Sequence, residues 1–426
     1  MSRRNLATPM VVVLFAFAAL AVACNPDARP VGPQAPALTA SRAGVPFTEG
    51  LASPEWQNTA ASLVAQARFN PQTAAHLYPL LGVAQYLAVQ QAEAAAGGTD
   101  AEREVTSGAG IGRGGRSRLE TDRGAVAGAS AVVLSYLFPS QAQALEDMVT
   151  AQASAGPGQP HPAFAAAEAI GRGVGAQIVA RAQGDGFNNP FTGTIPSGPG
   201  LWISNTTPST IAGGQLPGVT PWFLTSASQF RPTPPPAFGS AEFLAATAEI
   251  RQLSDTRTAE QIAIAAFWAL GVGTPTTPGF WIDVATGGIN EHGLSEREAT
   301  HLYALLSATM FDAQIGCWDA KEIYWFIRPW QADPAITVVA AVGKPNHPSY
   351  PSGHSCLSSS AAEVLKVFFP EQGAQLDAMV TEAGLSRMYG GIHYQFDIDA
   401  GRQIGQSVAA FTIAADASGN SVLTPR

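Results

Sequence analysis

Apolar positions recur at helical spacing along most of the chain. From Trp56 to Ala95 they include Leu63, Ala67, Leu77, Leu80, Leu81, Val83 and Leu87, the one-sided pattern of amphipathic helices. Helical patterning returns at Ala125–Tyr136, Ser140–Ala155 and Ala163–Gln183. Between these stretches, Gly97–Gly124 is rich in glycine and charge and reads as a flexible loop. Its Gly110, Gly112 and Gly115 carry the lettering of a dinucleotide fingerprint. No predicted strand precedes them, so a nucleotide role is not expected.

Gly184–Gly239 has no period. Pro, Gly and Thr are frequent there, and Trp202, Trp222 and Phe223 fall without register. So long an irregular stretch in a compact domain is expected to cover the fold or serve a site. The remainder is helical. Thr258 with Gln261, and Ser295 with Glu298, have the spacing of capping boxes. Pro348–Gly353 and Ser386–Gly391 break the pattern. With no run of alternating strand positions, the expected architecture is all-α, helices packed as bundles beneath a long irregular covering segment.

The first residues read as a targeting segment. Arg3 and Arg4 precede an apolar run, Val11–Val22, that is too short for a comfortable membrane span. The run ends at Ala21, Val22, Ala23 and Cys24, the lettering of a bacterial lipoprotein cleavage box, although Leu20 sits one place early. Residues 1–23 are therefore expected to be a lipoprotein signal peptide, with Cys24 carrying a lipid anchor. An ordinary secretory signal is the alternative. Residues 24–52, rich in Pro, Ala and Gly, read as a tether, and 53–420 as the folded domain. The expected location is outside the cytoplasm, as a periplasmic or outer-membrane-anchored lipoprotein. In that setting Cys317 and Cys356 can pair, or stay as two buried thiols.

Composition narrows the partners. Apolar residues make up 46% and charged residues 13% of the 426, with a formal net charge of −9. That balance argues against a nucleic-acid binder and makes any convergence of Lys and Arg a local feature. Self-association is left open.

Three segments near the C-terminus hold the candidate chemistry. In the first, Lys321 and Arg328 flank an apolar stretch and are followed by Pro329. On one helix they would share a face two turns apart, and two buried cations need an anion. In the second, Pro351, Ser352, Gly353 and His354 precede an apolar helical run, Leu357–Phe369. A Ser-Gly helix start offers unpaired N–H groups to an anion, and His354 could carry a proton to it. In the third, Ser386 and Arg387 are followed by His393 and then Asp397. On a helix Asp397 could hold one ring nitrogen of His393, leaving the other as a nucleophile or metal ligand. Taken singly, each has an ordinary explanation: a solvated face, helix punctuation, an exposed ion pair.

Taken together and in order, Lys321, Arg328, Pro329, Pro351, Ser352, Gly353, His354, Ser386, Arg387, His393 and Asp397 resemble the signature shared by vanadium haloperoxidases and the acid phosphatases of the type 2 phosphatidate phosphatase superfamily. Trp56–Gln90, Ser140–Gly186 and Phe230–Trp281 are also similar to soluble bacterial vanadium haloperoxidases. The resemblance implies a catalytic domain over 53–420 with vanadate as cofactor. His393 would be the axial metal ligand. Lys321, Arg328, Ser352, Gly353 and Arg387 would hold oxygens, and His354 would be the acid–base. Hydrogen peroxide would oxidise a halide to hypohalous acid, Lys321 polarising the peroxide, with an organic acceptor of unidentified structure. Trp318 and His347 match halide-side positions, and a histidine at 347 resembles the enzymes that prefer bromide or iodide. Two alternatives stay open: an acid phosphatase in which His393 attacks phosphorus, and an oxyanion-binding lipoprotein without turnover.

Overall fold

In a computed structural model, residues 50–97, 113–153 and 162–424 are described. They belong to one compact unit, Pro36–Arg426. The targeting segment, Cys24 and nearly all of the tether lie outside the described residues, as do Gly110 and Gly112.

Thirteen α-helices and no strands are found among the described residues. They are α1 (Ser53–Gln66), α2 (Pro71–Ala95), α3 (Arg113–Leu137), α4 (Ala142–Ala153), α5 (Pro162–Gly184), α6 (Ala241–Thr256), α7 (Ala259–Phe267), α8 (Thr276–His292), α9 (Glu296–Tyr324), α10 (Pro329–Ala332), α11 (Gly353–Phe368), α12 (Gly373–Tyr389) and α13 (Gln395–Ala417). Several starts are set by local chemistry. Asn70 accepts from the N–H of Thr73 ahead of Pro71 and divides the Trp56–Ala95 pattern into α1 and α2. Both expected capping boxes form, Thr258/Gln261 at α7 and Ser295/Glu298 at α9. None of the described helices is long and apolar enough to cross a membrane.

The long helix α9 is the common axis. It packs on α2 on one side and on α11 and α13 on another, and nearly every residue from Ala299 to Lys321 is buried. Helices α2, α3 and α5 form one bundle; α11, α12 and α13 form the second. A smaller apolar cluster, with Phe243, Phe326, Ile327, Tyr350, Tyr394 and Ile398, backs the segments that follow α9 and precede α13.

Two expectations about breaks are corrected here. The Gly97–Gly124 loop is helical from Arg113 onward. Of its glycines, Gly124 belongs to a contact in which α3 and α5 approach backbone to backbone, with Gly128 and Gly171 on the same seam. A Cβ at Gly128 would sit 2.2 Å from the carbonyl oxygen of Glu168, and one at Gly171 would sit 2.1 Å from that of Ala125. Such overlap cannot be relieved by a rotamer change. We expect Gly171→Ala to destabilise the fold by about 2–3 kcal/mol despite alanine's better helix propensity. Urea unfolding followed by circular dichroism checks this; an unchanged or raised midpoint would contradict it. The second correction concerns Ser386–Gly391. Helix α12 runs on to Tyr389, and the turn falls at Gly390 and at Gly391, whose φ is +76°.

The covering segment is irregular, as expected, apart from one short turn at Leu216–Gly218. It is anchored from below by Asp312 in the middle of α9. This buried carboxylate accepts the N–H groups of Trp222, Phe223 and Leu224 at 2.8, 2.7 and 3.0 Å. Near the end of α9 the segment is fixed by Trp202 N–H to the Trp325 carbonyl (2.6 Å) and by Ile327 N–H to that of Gly200 (3.0 Å).

Candidate active site

The three C-terminal segments converge at the end of α9, although not as one helical face. The helix stops at Tyr324, because Trp325 turns left-handed at φ +47°. Arg328 follows in extended backbone, so it shares no helix with Lys321. The two cations meet because the fold folds the chain back on itself.

Lys321 is fully buried at the last turn of α9. Its ammonium donates to the carbonyls of Pro348 and Ser349 at 2.8 and 3.0 Å, and also to that of Pro351. It thereby shapes the loop that leads into Ser352 and Gly353. Arg328 is equally buried. It donates from Nε to the His347 carbonyl at 3.0 Å and from one terminal nitrogen to the Ile392 carbonyl at 2.7 Å. The same nitrogen reaches His393 Nε2 at 2.9 Å, and the other reaches His347 Nδ1 at 3.1 Å. Arg387, in the last turn of α12, donates to Ser386 Oγ at 2.9 Å and to the Ala265 carbonyl at 3.2 Å. Ser352 caps α11, which begins at Gly353, and its N–H donates to the Asp397 carbonyl at 2.8 Å.

The hydrogen bonds fix the tautomer of His393. A guanidinium only donates, so Nε2 beside Arg328 carries a lone pair. The proton is therefore on Nδ1, which donates to Asp397 Oδ2 at 2.8 Å. The expected His393–Asp397 contact thus forms, but His393 lies just before α13 rather than on it. Asp397 is held in turn by Ser349 Oγ at 2.5 Å and by the Tyr394 N–H at 3.2 Å. Ser349 escaped sequence reading, although it sits in the same Pro348–Gly353 break.

His354 is held differently. Its Nε2 lies 2.9 Å from the Trp268 carbonyl and 3.2 Å from Thr277 Oγ1. A carbonyl only accepts, so Nε2 carries the proton and Nδ1 is the free nitrogen. Trp268 acts through its backbone, which no side-chain motif can signal. On the remaining wall, Trp318 donates from Nε1 to the Ala212 carbonyl at 2.9 Å, and its ring centre lies 5.0 Å from that of His347.

Electrostatics follow from this burial. Desolvation pushes Lys321 down to about 8 and acts against the charge of Arg328 and Arg387. Desolvation and the neighbouring cations hold His347, His354 and His393 well below the usual histidine range, so all three are neutral. Burial raises Asp397 to about 6, opposed by Ser349 and Lys321. Among the described residues, none of the three cations forms a salt bridge with a carboxylate. Three buried cations around one hydrogen-bonded carboxylate leave an excess of positive charge that a polyoxyanion would offset. The donor set suits such a group: planar guanidiniums, a helix start and an imidazole lone pair.

Cys317 and Cys356 lie beside this site as free, buried thiols in contact with each other. The neighbouring position of α9 and α11 is as expected, and no bond joins them.

Comparisons with known proteins agree with this picture. The model of the PAP2 superfamily matches residues 299–418, which contain all three segments. A non-specific acid phosphatase of Providencia stuartii is 30% identical over 194 residues, spanning 42% of this chain and 70% of that protein. One from Salmonella typhi is 46% identical over 57 residues, 13% of this chain and 23% of that protein. Among solved structures, a bacterial vanadium-dependent iodoperoxidase superposes with a TM-score of 0.69 at 23% identity, covering 85% of this chain and 96% of that one. The apo form of a bacterial vanadium-dependent chloroperoxidase gives 0.65 at 16% identity, over 84% and 96%. Both share the all-helical fold.

Proposed function

This chain belongs to the PAP2 superfamily, and from that membership we propose that it is a vanadate-dependent haloperoxidase oxidising bromide or iodide with hydrogen peroxide. The carrying observation is His393: its Nδ1 proton is committed to Asp397, which turns an Nε2 lone pair toward the buried guanidinium of Arg328. That lone pair would ligate vanadium, while Arg328, Arg387, Lys321 and the Ser352–Gly353 helix start would hold the oxygens. Bound vanadate supplies a Lewis-acidic centre that activates peroxide without changing oxidation state. The chain's residues do the rest. Lys321 and the guanidiniums neutralise negative charge, and Asp397 keeps His393 in one tautomer. His354 takes up or gives back a proton at Nδ1. The Trp318–His347 wall supports the peroxidase reading.

A second reading has its own support, the identity to acid phosphatases. There His393 Nε2 would attack phosphorus and His354 would protonate the leaving oxygen. Paired assays separate the two. Protein loaded with vanadate should oxidise bromide or iodide with peroxide, and vanadate-free protein should hydrolyse a phosphomonoester slowly or not at all. The reverse result would select the phosphatase. Export and a lipid on Cys24 belong to the same proposal, and the intact mass of protein from a bacterial membrane fraction tests them.

Two further results are expected. In His347→Phe, Arg328 loses the Nδ1 acceptor and Trp318 faces an apolar ring in place of the imidazole. The relative rates with iodide, bromide and chloride should change; an unchanged ratio would make His347 purely structural. Vanadate affinity of the free protein should also fall as pH rises through the value of about 8 at which Lys321 loses its proton. The fall should be up to about tenfold per pH unit, measured against Lys321→Gln, which lacks this contribution. Identical slopes in the two proteins would show that Lys321 does not supply the charge.

A further inference from the structure

We propose that Thr277 is a positioning residue for His354, fixing the orientation of its ring through the register of α8 against α11. The inference rests on the proposed reading only in taking His354 as the proton carrier, a role shared by the peroxidase and phosphatase alternatives.

The two helices meet in register. Thr277 Oγ1 lies 3.2 Å from His354 Nε2. One turn further along both helices, Trp281 Nε1 donates to Ser358 Oγ at 3.1 Å. Positions four apart lie on one helical face, so these are successive rungs of a single contact. The start of α8 is clamped from its other side. Buried Tyr78 donates to the Pro275 carbonyl at 3.2 Å, and a Cβ at Gly279 would lie 2.3 Å from the Tyr78 hydroxyl. Between clamp and ladder, Thr276 is held at φ +67° while fully buried. A β-branched residue in the left-handed region is costly, and persists only where its surroundings over-determine it. What that turn delivers is the next residue, Thr277, with its hydroxyl at the imidazole.

The chemistry follows from the acceptors. His393 is backed by a carboxylate, which favours a lone pair at Nε2 and a proton at Nδ1. His354 is backed by two neutral oxygens, the Trp268 carbonyl and the Thr277 hydroxyl, both at Nε2. The carbonyl fixes the proton at Nε2 and leaves Nδ1 as the exchanging nitrogen, and the hydroxyl accepts from the same N–H. With the carbonyl alone, the ring keeps one acceptor, at 2.9 Å, and can swing about it. Thr277 supplies the second point that fixes the ring plane. Trp268 and Thr277 both precede residue 299, where the superfamily match begins.

The test uses Thr277→Val, which keeps shape and removes the hydroxyl, and Thr277→Ser, which keeps the hydroxyl. In vanadate-loaded protein, Thr277→Val should lower kcat roughly three- to tenfold and leave the KM for peroxide and vanadate retention unchanged, while Thr277→Ser stays close to wild type. An unchanged kcat in Thr277→Val, or an equal loss in both variants, would overturn the proposal. A second measurement needs no vanadate. Nitrogen-15 NMR of histidine-labelled protein, with the His354 signals assigned by their loss in His354→Gln, should show a proton on Nε2 in the wild type. Thr277→Val should shift that Nε2 proton signal, and Thr277→Ser should not. A wild-type proton on Nδ1, or spectra indifferent to Thr277→Val, would sink the inference. Absence of both enzyme activities with the expected spectra would instead count against the proposed function alone.

Discussion

His393→Ala is expected to abolish vanadium retention, read by elemental analysis after gel filtration. The side chain contributes an Nε2 lone pair that faces a buried guanidinium and is backed at Nδ1 by a carboxylate. Lys321, Arg328 and Arg387 only donate, and the other ring nitrogen facing that guanidinium, His347 Nδ1, belongs to a ring with no carboxylate contact among the described residues. A graded version tests the support beneath it. Asp397→Asn keeps the shape but weakens the hold on Nδ1, and should cost about 10–100-fold in vanadate affinity. Far-UV circular dichroism of both variants guards against loss of the fold. Retention of vanadium by folded His393→Ala would remove His393 from the site.

His354→Ala is expected to do the opposite: to keep vanadate and lose turnover. The imidazole is partly exposed and neutral, and its Nε2 is tied to protein oxygens, so it contributes little charge to binding. Removing a positioned proton carrier typically costs about 10²–10⁴-fold in rate. Bromide oxidation and vanadate affinity should be measured on the same preparation. A parallel loss of both would make His354 a binding residue instead.

The contrast between these histidines shows what could be read from the sequence. Residue types and order gather Lys321, Arg328, Ser352, Gly353, His354, Arg387, His393 and Asp397 only when the three segments are taken together, as the resemblance to one family's signature; singly, each has an ordinary explanation. Helix starts at Thr258, Ser295 and Ser352 were legible because a cap is formed within four residues. Features fixed by distant partners were not. Gly124 looks like a loop residue until α5 is laid against it. The end of α9 at Trp325 carries no compositional mark, since a backbone bond from Trp202 helps to hold it. For the same reason Arg328 was expected on a helix that had already ended. Trp268 and Thr277 reach His354 from a part of the chain with no motif, one of them through a carbonyl.

Vanadate binding in this pocket and halide oxidation by the bound form can be read on one set of samples. Equilibrium dialysis of the purified protein against vanadate, followed by bromide oxidation on the same samples, tests both most directly. One vanadium per chain is expected at saturation, with halide oxidation rising in proportion to occupancy and both displaced by excess phosphate. Vanadate binding without any peroxide-dependent halide oxidation, together with brisk phosphomonoester hydrolysis by the vanadate-free protein, would contradict the proposed function.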